Sequence, residues 1–179
     1  MKLFSILGGV PLAIFSTLST MPAHADWQGT HWGMTEEQVE SAITGPNYQW
    51  RPECTTGKPP HPDRFEIRLS NYTAGEFAFQ GCIEGSTTFG LDRVGLSLKL
   101  ADPGYALVQG DKLKSVLEGK YGASFSDVPA RSGSPRVIEW HAGGDRIKLT
   151  YGVLAYGQWV SNVVMLDYTP LSSQSSKGL

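Results

Sequence analysis

The side chains that could do chemistry are few, and none falls into a recognised spacing. Past residue 25 the histidines are His31, His61 and His141. No H-E-x-x-H or H-x-H arrangement aims two of them at a metal from one element. His61 and Asp63, with only Pro62 between them, could offer two ligands from one loop; a solvated histidine held by its prolines is the simpler reading. No serine lies in G-x-S-x-G or S-x-x-K, and no glycine-rich loop has a phosphate-cradling pattern. Asp63, Glu66, Glu76, Glu84 and Asp92 are carboxylates that folding could pair for glycosidase-like acid and base work. Surface carboxylates flanking strands are the plainer expectation. The sequence therefore nominates no catalytic residue, no metal site and no cofactor.

The aromatic side chains carry a better lead. Trp27, Trp32, Tyr48, Trp50, Tyr156 and Trp159 fall in loops or near element ends, where large rigid rings either cap a small core or serve recognition. Trp32 should pack beside the first helix. Tyr48-Gln49-Trp50-Arg51 places an arginine among aromatics in a constrained loop, the composition of a binding hot spot, and makes Tyr48, Trp50 and Arg51 the candidate partner-binding residues.

Compartment is written in the first 25 residues. Lys2, the apolar stretch Leu3 to Phe15 and the small-x-small site Ala23-His24-Ala25 form an export signal, too short in its apolar part to span a bilayer. The expected location is periplasmic or secreted. About 150 residues remain, enough for one domain over 26–170. Loss of Lys2 makes the formal charge of −2 more negative still, which argues against nucleic acid as a partner. No later segment is apolar enough to span a membrane. Cys54 and Cys82 are the only cysteines, and export makes them a disulfide pair. Closing a loop of about 29 residues is worth about 3–4 kcal/mol by chain entropy.

The elements that must position these groups follow from period. Thr35-Glu36-Glu37-Gln38 is a capping box, and Val39, Ala42 and Ile43 give one apolar face before Gly45-Pro46 ends a short helix. A second helix lies within Tyr105 to Tyr121, started either by Asp102-Pro103 or by Asp111, and stopped by Gly122. Between and after them the period is two: Phe65, Ile67, Leu69; Phe77, Phe79; Val94, Leu96, Leu98, Leu100; then Ile138, Trp140; Ile147, Leu149, Tyr151; and Val163 to Tyr168. The order helix, strand, strand, strand occurs twice, with Leu91–Leu96 standing where Ser161–Leu166 does. The fold class is α+β: an antiparallel sheet with two helices packed on one side, a tandem repeat with halves 30–100 and 101–170. Glu66, Arg68, Ser97, Lys99, Lys148 and Thr150 mark the other face as one that meets water or a partner. Gly45 to Asp63 is a proline-rich loop, and 171–179 a polar, disordered tail.

The Trp32-Gly33-Met34-Thr35 opening, with Tyr121-Gly122 ending the second helix, resembles small exported bacterial proteins of unknown function that begin W-G-M-[ST] after their signal. The helix-and-sheet order is similar to the tandem fold of β-lactamase inhibitor proteins and of small outer-membrane assembly lipoproteins, without the lipid-bearing cysteine of the latter. The resemblance implies compartment and fold and brings no functional residue with it. The expected function is a non-catalytic binding module engaging a protein partner in the cell envelope. A small hydrolase acting on envelope sugar or peptide, and a small-ligand binder with a pocket between helices and sheet, are the alternatives.

Overall fold

The computed structural model describes residues 27, 29–43, 48–49, 54 and 62–171. The leader, Trp50, Arg51, His61 and the tail past Leu171 lie outside the described residues.

Helix α1 (Glu36–Ala42) begins at the capping box as expected: the Thr35 hydroxyl accepts from the Gln38 amide, and the Gln38 side chain accepts from the Thr35 amide. Helix α2 (Ala106–Tyr121) takes the earlier of its two possible starts. Asp102 accepts from the Gly104 amide and opens a 3-10 turn over Pro103–Tyr105 that runs into the helix. The strands are β1 (Tyr48–Gln49), β2 (Arg64–Ala74), β3 (Phe77–Ser86), β4 (Gly90–Leu98), β5 (Ser126–Val128), β6 (Arg136–Ala142), β7 (Asp145–Tyr156) and β8 (Trp159–Pro170). They form one antiparallel sheet in the order β1-β2-β3-β4-β8-β7-β6-β5. The class is thus α+β, with two helices and an antiparallel sheet. β1 and β5, at the two edges, were not legible from period: two or three residues are too short to alternate.

Register separates the two faces. Ile67, Ile83, Val94, Tyr168, Ile147 and Trp140 are successive cross-strand partners over six strands, and all are buried. Val39 and Ile43 of α1 and Ala106, Leu113 and Leu117 of α2 join the same core, so both helices cover this face. Burying a side chain of this size is worth about 1.5–3 kcal/mol each, and this continuous layer is the main source of stability. Helix α2 comes close to β7 because position 110 is glycine: a Cβ there would lie 2.0 Å from the Tyr151 ring. Trp140 Nε1 donates to the Gly122 carbonyl at 3.2 Å, tying the end of α2 to β6.

The opposite face is polar along the neighbouring row, Arg68, Cys82, Gly95, Asp167, Lys148 and Glu139. Of the residues expected there, Thr150 is the exception: it is buried, its cross-strand partners being Val137 and Met165. Cys54 is bonded to Cys82 with a Cα–Cα distance of 5.9 Å, and the Cys54 amide donates to Glu66 at 2.7 Å. The disulfide and this hydrogen bond fix Cys54 against the polar face of β2 and β3.

Candidate functional site

An apolar cleft lies between α2 and the sheet, at the end where the β2–β3 and β6–β7 turns meet the helix. It has a volume of about 880 Å³. Leu113 and Leu117 of α2 and Leu96 and Leu166 of the sheet form its floor, with Phe77 and Phe79 along one wall. Trp27, Tyr72, Phe79 and Phe77 make a chain of rings with centroids 5.3, 6.1 and 6.3 Å apart.

Local structure explains why these rings converge. A β-bulge in β2 between Leu69 and Tyr72 shifts the alternation by one residue, so Tyr72 becomes the partner of Phe79 and turns to the helix side. Without the bulge Tyr72 would face the other way, and Trp27 would lose the ring it packs on. Gly75, at φ +61°, makes the tight β2–β3 turn at the rim.

Polar groups in the cleft are few and peripheral. Burial, and next the adjacent Tyr121, push the Tyr168 hydroxyl far above the ordinary phenol range, so it is a neutral donor and acceptor at any physiological pH. Lys120 lies over the Tyr121 ring, 4.9 Å from its centroid, and brings one cation to the rim. Glu76 stands at the rim too, 3.6 Å from Lys112. The described lining contains no serine, cysteine or histidine; its ionisable side chains are Glu76, Lys120 and the tyrosines.

The sheet's polar face holds Glu66, Glu84 and Asp92, three of the candidate carboxylates, in a different arrangement. Charges alternate strand by strand: Arg64 on β2, Glu84 on β3, Arg93 on β4, Asp167 on β8, Lys148 on β7 and Glu139 on β6. Arg64 reaches Asp92 at 2.7 Å and Glu84 at 3.9 Å; Arg93 reaches Glu84 at 3.1 Å and Asp167 at 2.6 Å. Arg146 and His141 both hold Glu139, at 2.8 and 2.6 Å. Burial pushes the Glu84 carboxyl above its usual range, and Arg93 and Arg64 pull it back only in part. Glu66 and Glu84 are cross-strand partners, so folding does bring two of the candidate carboxylates together. Glu84 is nonetheless engaged by two arginines and Glu66 by the Cys54 amide, which is the arrangement of a structural network. Asp63 lies in the turn before β2, and Glu76 at the cleft rim. No group of three or more metal-ligating side chains occurs among the described residues.

The aromatic candidates divide. Trp27 is buried in the core, and Trp32 sends its Nε1 to the buried Asp145 at 2.5 Å, bridging the opening segment to the β6–β7 turn rather than simply flanking α1. Tyr156 and Trp159 stand in solvent at the tip of the β7–β8 hairpin. Tyr48 starts the edge strand β1, opposite Leu69; Trp50 and Arg51 lie outside the described residues. The sequence raised a pocket between helices and sheet only as an alternative and did not place its lining. Its signal was the interruption of period two at Ser70-Asn71, just before Tyr72, which marks the bulge.

No protein-family model, no curated protein and no solved structure matches this chain.

Proposed function

We propose that the chain is an exported, non-catalytic binding module, periplasmic or secreted, that holds an apolar or amphiphilic small molecule in the cleft between α2 and the sheet. The cleft's volume carries this reading: about 880 Å³ falls within the roughly 300–1,000 Å³ of small-molecule sites, and a mostly apolar lining with a few polar groups at the rim is their usual composition. The Lys120 ammonium and the tyrosine hydroxyls suit a polar or anionic end of such a molecule; the leucine and phenylalanine walls suit its hydrocarbon. The leader-like first 25 residues support export, and the Cys54–Cys82 bridge is compatible with it. Native mass spectrometry of protein recovered from its exporting source tests the assignment. The expected spectrum carries a bound molecule of lipid-like mass at one per chain, released by organic solvent.

A protein partner is the second reading. The position of Tyr48 favours it: β1 is a two-residue edge strand, and among the described residues it pairs with β2 only at Leu69 and Arg68. Tyr48, Trp50 and Arg51 remain the proposed partner-binding residues on this reading.

We also read the architecture as a tandem of two helix-strand-strand-strand units. The mirrored strand order supports it, as does the pairing of β4 with β8. Aligning Leu91–Leu96 with Ser161–Leu166 makes Leu96 the equivalent of Leu166. These two residues are direct cross-strand partners, the relation a two-fold axis between halves requires.

A further inference from the structure

The β7–β8 hairpin outruns its neighbours. Pairing of β7 with β6 ends at Tyr151, and pairing of β8 with β4 ends at Met165, while β7 and β8 stay paired to Tyr156 and Trp159. All residues from Val153 to Asn162 are exposed, and none carries a charge. Tyr156 is 83% and Trp159 81% exposed, with Val160 at 69% behind them. Leu154, Tyr156 and Trp159 lie on one face of the ribbon; Val153, Ala155 and Val160 lie on the other. The turn Arg131–Ser134 braces the β7 edge one residue short of the tip pair, through the Ala155 amide, which donates to the Gly133 carbonyl at 3.0 Å. Leu107, itself exposed, packs beside Gly152 and extends the apolar surface to the foot of α2.

We infer that this hairpin is a lipid-contacting element that dips its tip into the interface of a bilayer with uncharged, zwitterionic headgroups. A folded partner with one flat surface could cover only one face of the ribbon, whereas fluid lipid closes around both faces and the tip. Tyrosine and tryptophan at the extremity are the side chains that settle at the level of the headgroups. The four exposed residue pairs span about 10–13 Å along the strands, comparable with the roughly 5–10 Å to which interfacial elements sink. With no charge between Val153 and Asn162, the segment has no charge of its own to desolvate on entry and none to draw it toward anionic lipid.

The test uses the mature, disulfide-bonded chain and vesicles of phosphatidylcholine. Expected are co-sedimentation that is insensitive to salt, an at least tenfold loss of partitioning in Tyr156→Ser/Trp159→Ser, and no loss in Phe89→Ser, which removes an equally exposed ring elsewhere. Brominated phosphatidylcholine should quench tryptophan emission of the wild-type chain and not of Trp159→Phe, a readout that does not depend on the double variant folding. Failure to partition, or partitioning and quenching indifferent to the tip substitutions, overturns the inference. So does a concentration-dependent dimer abolished by the double variant in the absence of lipid, which would make a second copy the occupant.

Discussion

On the helix side of the sheet the row Ile67, Ile83, Val94, Tyr168, Ile147, Trp140 excludes water; one residue along the same strands, Arg68, Cys82, Gly95, Asp167, Lys148 and Glu139 look the other way. The same backbone ladder thus supports two surfaces with different physics. The apolar face gains free energy from burial and leaves a cleft where α2 fails to cover the sheet completely. The polar face gains little net energy from its alternating charges, since partly exposed ion pairs are worth about 0–1 kcal/mol each. What the charges do supply is register: moving any strand by one residue would expose the apolar row and bury the charged one.

The sharpest way to break the contrast is to damage the apolar face. Trp140→Ala removes a fully buried ring and its bond to Gly122, and should cost about 3–5 kcal/mol in denaturant unfolding. The disulfide comes next: Cys54→Ala/Cys82→Ala opens a closure between residues 28 apart and should cost about 3–4 kcal/mol, with the cleft unaffected because the bridge lies on the other face. Gly110→Ala forces a methyl group against the Tyr151 ring; the strain of about 1–3 kcal/mol outweighs a helix-propensity gain of about 1 kcal/mol, so the melting temperature falls. On the charged face, Arg93→Met should change stability by no more than about 1 kcal/mol, and high salt should shrink the difference further. A loss there as large as that from Trp140→Ala would abolish the distinction between the faces.

Acid gives the smallest and most specific effect. Hydrogen bonds from Arg136 hold the Asp127 carboxyl below its ordinary range. Glu139, which burial alone would raise, is also brought below that range, by Arg146 and His141. Because both folded pKa values lie below the unfolded ones, their contribution is fully present at neutral pH. It is lost as pH falls from the normal carboxylate range through the folded pKa. Asp127→Asn should therefore melt slightly below the wild type at neutral pH, with the two curves converging in acid.

Much of this fold is legible in the sequence where local patterns are strong. The Thr35 capping box, the Gly122 stop and the alternations around Ile67, Val94 and Leu149 correspond to α1, the end of α2, β2, β4 and β7. What escapes is set by non-local events. Gly81 and Gly85 hide the continuation of β3, because residues without side chains show no alternation; in space the Phe65 ring fills the position above Gly85. The cleft depends on how far α2 sits from the sheet, which no single segment encodes, and on a bulge that reverses the direction of Tyr72, whose local trace is the broken alternation at Ser70-Asn71. Tyr156 and Trp159 were recognisable as rings outside the core pattern, but only the unequal reach of β6, β7, β8 and β4 shows that they stand alone at a tip.

Occupancy of the cleft is tested most directly by titrating residues 26–179 with N-phenyl-1-naphthylamine, an uncharged apolar fluorophore, beside Val116→Trp, which places an indole at the cleft rim from a solvent-exposed position of α2. The account predicts saturable binding at one site per chain, competed by long-chain fatty acid, and at least tenfold weaker in Val116→Trp at equal thermal stability. No saturable binding, or equal binding by the two proteins, would contradict it.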